Sequence, residues 1–183
     1  RWAGTIGLLQ QLLVERGYIV IQVDIRGSTG YGREFREKFL MDFAGNDIED
    51  LESAVNYLST LPYVDPERIG IWGSSYGGTL TIYSLFKKPG LFKAGVAGAA
   101  AVDPYFFGTD DVAIVRRPES HPEAFARGAL QYADNLEDHL LIIHGMQDHV
   151  VPFKTAAVLA EELIRLGKDF DFVFVPGATH GWT

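Results

Sequence analysis

The chain has 183 residues, enough for one domain with a substantial core, and 47% of them are hydrophobic. Its 24 acidic side chains outnumber 16 basic ones, leaving a net charge of -8, which argues against a nucleic-acid partner. Without cysteine there is no disulfide, no thiol nucleophile and no thiolate metal site, and no apolar run is long enough to span a bilayer.

In chain order, Ile6, Leu9, Leu12 and Leu13 recur at helical spacing, with Gly17 as a natural stop. Tyr18 to Asp24 is rich in β-branched residues and predicts a strand. Asp47 to Leu58 predicts an amphipathic helix with Ile48, Leu51, Val55 and Leu58 on one face. Arg68 to Trp72 predicts a strand and Thr79 to Phe86 a helix, with Ala94 to Ala100 as the next strand. Asp103 to Glu119 is the least regular stretch and is expected to form part of a substrate wall. Pro122 to Tyr132 gives a weaker helical pattern. Leu140 to Gly145 and Phe170 to Val175 are apolar runs of strand length, separated by a helical pattern over Phe153 to Leu166 that Gly167 ends. Alternating strands and helices imply a doubly wound, mostly parallel sheet with right-handed crossovers.

The strand at Arg68–Trp72 runs into Gly73-Ser74-Ser75-Tyr76-Gly77, a Gly-x-Ser-x-Gly between strand and helix. This is the spacing of a nucleophile elbow, in which a sharp turn lifts the serine hydroxyl off the sheet. Ser75 is the middle residue and the expected nucleophile; Ser74 occupies the variable position. A serine hydroxyl needs a base in contact with it. Such elbows take their acid and histidine from later in the chain, in that order. Asp148 follows the strand Leu140–Gly145, and His180 follows the strand Phe170–Val175. Both thus fall at strand ends, where open α/β sheets bind ligands. His180 would move the proton, Asp148 would orient the imidazole, and the backbone N–H of Tyr76 would donate to an oxyanion.

Competing readings exist. Asp148 could simply fold a turn. Asp134 and Asp138 precede the strand rather than follow it, and Asp110 and Asp111 have no strand immediately before them. His144, Asp148 and His149 do not form a metal site by spacing, since no third imidazole or second carboxylate is fixed beside them. His144 is expected to pack at a strand end, and His121 and His139 to lie at the surface or in caps. Arg26 could touch substrate, but a salt bridge to Asp47 or Asp50 is favoured.

Several segments carry a resemblance in one order. They are Asp24-Ile25-Arg26-Gly27-Ser28-Thr29-Gly30-Tyr31-Gly32, Asn46-Asp47-Ile48-Glu49-Asp50, Val64-Asp65-Pro66-Glu67-Arg68-Ile69, Gly73 to Gly78, His144 to Asp148, and His180-Gly181-Trp182. Together they resemble the catalytic domain of the prolyl oligopeptidase family, in particular its dipeptidyl-peptidase and acylaminoacyl-peptidase branches. The resemblance implies an α/β-hydrolase fold over residues 1–183 and a serine peptidase acting on short peptides, without cofactor or metal. The expected partner is a peptide or small acyl substrate, with no nucleic acid and no membrane, and homo-oligomerisation stays open. The absence of cysteine fits the cytoplasm, the expected compartment. Relatives usually carry a β-propeller upstream, a segment that supplies a second oxyanion donor, and a final helix. None is recognisable here, so a fold shortened at both ends is expected. By resemblance, Tyr105, Phe106 and Phe107 line a pocket for proline or another apolar residue; simple space-filling is the alternative. Val150 and Val151 would form another wall. A carboxylesterase with the same triad, and a catalytically incomplete domain, are the alternative functions.

Overall fold

The computed structural model describes residues 7–40, 42–103, 119–120, 122 and 128–181. Its centre is a sheet of four parallel strands in the order β1 (Gly70–Ser74), β2 (Ala94–Gly98), β3 (His139–Gly145) and β4 (Asp171–Val175). Five α-helices bounded within the described residues accompany it: α1 (Leu8–Glu15), α2 (Arg33–Glu37), α3 (Asn46–Ser59), α4 (Tyr76–Lys87) and α5 (Phe153–Arg165). α4 connects β1 to β2, and α5 connects β3 to β4, as parallel neighbours require.

The register explains which face is the core. Ile71 lies opposite Gly95 and Leu140, and Gly73 opposite Ala97, Ile142 and Phe172. This row faces the helices: a Cβ on Gly95 would come within 2.8 Å of Thr81 and Leu85 of α4, and Phe153 of α5 stacks on Phe172. The alternate row carries Trp72, Val96, Leu141, Ile143 and Val173, and here Trp72 and Val173 stay exposed.

α4 is buried along its length from Gly78 to Phe86, as expected of a helix apolar on most sides. Two of its polar side chains reach carbonyls past β2, whereas the buried Ser84 hydroxyl has no hydrogen-bond partner among the described residues. Thr79 Oγ1 donates to the carbonyl of Ala101 at 2.8 Å, and the Tyr83 hydroxyl donates to the carbonyl of Val102 at 3.2 Å. α3 turns Ile48 and Val55 into the core, with Leu51 and Leu58 half-buried, as its spacing predicts.

Three expectations shift. Tyr18 to Asp24 forms no ladder; Tyr18, Ile19, Ile21 and Val23 are exposed, because no strand lies beside them among the described residues. The strand before the elbow begins at Gly70, since Asp65 caps a 3-10 turn, Pro66–Arg68, by accepting from the N–H of Glu67. Of the Pro122–Tyr132 pattern, Pro122 is α-helical, residues 123–127 lie outside the described residues, and the end runs into a 3-10 helix, Ala129–Asn135. Most of Asp103 to Glu119 lies outside the described residues.

Candidate active site

The site assembles where β1, β3 and β4 end. Ser75 links β1 to α4 in the left-handed region, with φ 58° and ψ -122°. Such a conformation costs a non-glycine residue about 1–3 kcal/mol and persists only where the surroundings enforce it. Here they do. The Ser75 N–H donates to the carbonyl of Gly98 on β2 at 2.9 Å, and its own carbonyl accepts from Thr79 N–H at 3.0 Å. A Cβ on Gly73 would lie 2.4 Å from the backbone carbon of Gly77, and one on Gly78 would lie 2.4 Å from the Gly98 carbonyl oxygen. Close approach therefore demands glycine at 73 and 78, whereas a Cβ at Gly77 would meet open space.

Ser75, His180 and Asp148 come together. Ser75 Oγ lies 2.9 Å from His180 Nε2, and His180 Nδ1 lies 2.8 Å from Asp148 Oδ2. The carboxylate identifies Nδ1 as the protonated nitrogen, which leaves Nε2 to accept the serine proton. Asp148 is buried, and its other oxygen, Oδ1, accepts from the N–H groups of Val150 and Val151 at 2.9 and 2.8 Å. Burial pushes the Asp148 carboxyl up. Its hydrogen bonds with His180, Val151 and Val150 outweigh that and hold it below the ordinary carboxylate range.

The acid and histidine loops are laced to each other. Met146 N–H donates to the Val175 carbonyl and Gln147 N–H to the Ala178 carbonyl, both at 3.0 Å. A Cβ on Gly145 would sit 2.4 Å from the carbonyl oxygens of Ala178 and Thr179. The loop holding Asp148 can thus touch the loop holding His180 only because position 145 is glycine.

Two polar residues add to what spacing alone indicates. His144 packs at a strand end as expected, and is fully buried. Its Nε2 is also 2.9 Å from the Val151 carbonyl and 3.4 Å from Asp148 Oδ2, bracing the acid loop from beneath. Its place four residues before Asp148, at the last turn of a buried strand, is the signal that could have pointed to this. Arg26 forms its ion pair with Asp50, donating through Nε at 2.8 Å while its backbone N–H reaches the same carboxylate at 2.8 Å. Asp47, the other candidate, turns instead to the Tyr76 hydroxyl.

The remaining expected residues fall as follows. Val151 is buried in the core beneath the site, whereas Val150 is 66% exposed beside it. Tyr105, Phe106 and Phe107 lie outside the described residues, as do Asp110, Asp111 and His121. Asp138 accepts from Gly90 N–H at 2.8 Å, a purely structural contact. Among the described residues no cluster of three metal-ligating side chains occurs, and no helix is long and apolar enough to cross a membrane.

The profile of the Prolyl oligopeptidase family matches residues 6–183. The chain belongs to the prolyl oligopeptidase family. An uncharacterized peptidase of Bacillus subtilis, YuxL, is 33% identical to this member over 180 residues, which cover 93% of this chain and 27% of that protein. Human dipeptidyl peptidase 8 is 30% identical over 177 residues, covering 92% of this chain and 19% of the relative. The chain therefore spans little more than a quarter, or less, of these curated relatives. Among solved structures, acylaminoacyl peptidase of Pyrococcus horikoshii superposes with a TM-score of 0.87 at 28% identity, over 96% of this chain and 30% of that one. Dipeptidyl peptidase 4 of Porphyromonas gingivalis superposes at 0.83 with 33% identity, over 86% and 23%. The parallel sheet with its elbow is thus an α/β-hydrolase fold, as these family members have.

Proposed function

We propose that this family member is a serine peptidase that cleaves short peptides through an acyl-enzyme, with Ser75 as nucleophile, His180 as base and Asp148 as the orienting acid. The observation that carries this reading is the continuous hydrogen-bonded line from Asp148 through His180 to Ser75. As Ser75 Oγ bonds to the substrate carbonyl carbon, its proton passes to His180 Nε2 and the carbonyl electron pair moves onto oxygen. The oxyanion would be met by the Tyr76 N–H, which as the first residue of α4 has no acceptor inside the helix. Collapse re-forms the carbonyl and breaks the C–N bond, and the leaving nitrogen takes the proton from His180. Water then repeats the sequence on the acyl ester, releasing the acid and restoring Ser75. Because the Asp148 carboxyl is held below its ordinary range, it stays ionised at neutrality and stabilises His180 each time the imidazole takes up a proton.

The test is covalent labelling with a fluorophosphonate and mass mapping of the adduct. An adduct on Ser75, absent in Ser75→Ala, is expected. A folded chain that does not react would overturn the reading. Turnover of peptide amides against short acyl esters then separates a peptidase from an esterase built on the same triad.

A further inference from the structure

Resting on the triad reading, the geometry points to Asp47 and the side chain of Tyr76 as the device that positions the oxyanion donor: we infer that Asp47 is a positioning residue for acyl transfer. Tyr76 is the first residue of α4, so the direction of its N–H depends on how the first turn of that helix is held. Its hydroxyl donates to Asp47 Oδ2 and accepts from the Ala44 N–H at 3.2 Å. Ala44 is itself held in an unfavourable backbone conformation, with φ 47°, and is fully buried. Its carbonyl accepts from Lys87 Nζ at 2.7 Å. Tyr76 and Lys87 are the first and last residues of α4, so the loop before α3 grips that helix at both ends through one residue.

Asp47 is an unusual choice for a merely structural position. It is 1% exposed, and its Oδ1 has no hydrogen-bond partner among the described residues. The nearby cation, Arg26, is committed to Asp50. A buried carboxyl without a cation is costly, and a phenylalanine at 76 over an apolar residue at 47 would fill the space without that cost. What the polar pair adds is a directional link. Burial raises both groups, holding the Tyr76 phenol protonated as a donor. A tyrosine has only two side-chain torsions, so fixing Oη at one end restrains the Cα at the other. That Cα carries the N–H aimed at the oxyanion. Misplacing a catalytic donor by about 1 Å is enough to cost about 100-fold in rate.

The experiment uses the full chain and reads the rate of Ser75 phosphonylation, kcat and KM on a p-nitrophenyl acyl ester, and the melting temperature. Tyr76→Phe and Asp47→Ala are each expected to slow phosphonylation and kcat by about 10- to 100-fold with KM little changed, since the lost contact serves the transition state. Asp47→Asn, whose amide oxygen accepts the same hydrogen bond, should restore most of the rate. Phe43→Leu removes a ring that packs on Tyr76 without touching the polar link; it should lower the melting temperature and leave the rate in place. Unchanged rates in Tyr76→Phe, an Asp47→Asn chain as slow as Asp47→Ala, or an equal slowing in Phe43→Leu would each overturn the inference. If Asp47→Ala does not fold, Tyr76→Phe, which keeps the ring, and Asp47→Asn carry the comparison. An unaltered chain that is not labelled at all overturns the triad reading and this one with it; a labelled chain indifferent to Tyr76→Phe overturns this one alone.

Discussion

Tyr18–Asp24 and His139–Gly145 are both runs of strand-forming residues, yet they end in opposite states. The first exposes Ile19, Ile21 and Val23 and makes no ladder among the described residues. The second buries Leu140, Ile142 and His144, pairs with a neighbour on each side and delivers Asp148 to the site. Propensity is nearly equal in the two; what differs is the company. A strand is stabilised by its cross-strand partners and by the layer packed on it, so the same composition is inert without them. Arg26 meets Asp50, and Ile25 packs against the core, tying the region around residues 7–40 to the rest.

The sharpest way to break this comparison is to truncate each run. Ile142→Ala should cost about 2–5 kcal/mol of unfolding free energy, read by denaturant titration, because a cavity opens between the sheet and its helices. An Ile142→Ala effect below about 1 kcal/mol would deny that this strand is the packed one. Next in size is Gly145→Ala. The added methyl meets backbone oxygens of the histidine loop, which cannot rotate away, so His180 and Asp148 move apart. kcat should fall by about 100-fold while the fold persists, and a normal kcat would mean the two loops tolerate separation.

Arg26→Ala tests the tie between the regions. The pair is partly exposed, so a loss of about 1 kcal/mol is expected. Its pH dependence has a definite sign. The hydrogen bond from Arg26 holds the Asp50 carboxyl below its ordinary value. The folded state therefore gains stability above the ordinary carboxylate range and loses it as pH falls through the depressed value. Melting temperatures of the parent and Arg26→Ala should converge in acid and separate toward neutrality. The smallest effect belongs to Ile21→Ala. With 47% of Ile21 exposed, the change should stay within about 0.5 kcal/mol, and a loss as large as that of Ile142→Ala would erase the contrast.

The candidate triad was legible because each member sits at the end of an apolar run, and strand ends share one edge of a parallel sheet. The elbow was legible because Gly73 and Gly78 sit where backbones nearly touch. Some contacts were invisible for the opposite reason. The pairing of Asp47 with Tyr76 spans 29 positions with no local pattern to betray it. The choice between Asp47 and Asp50 for Arg26 likewise turns on where α3 docks, since the two lie on one short helical stretch.

By itself the sequence determined the alternation of strands and helices around the elbow and after Leu140, the serine turn, and the placing of Asp148 and His180 after later strands, because periodicity and glycine spacing are local properties. Only the tertiary structure decided that Tyr18–Asp24 has no partner strand among the described residues, that Val151 sinks into the core, that His144 braces the acid loop, and that a buried aspartate anchors the helix behind Ser75. Those outcomes depend on which distant surfaces meet, and burial, pairing and hydrogen-bond partners exist only once they do.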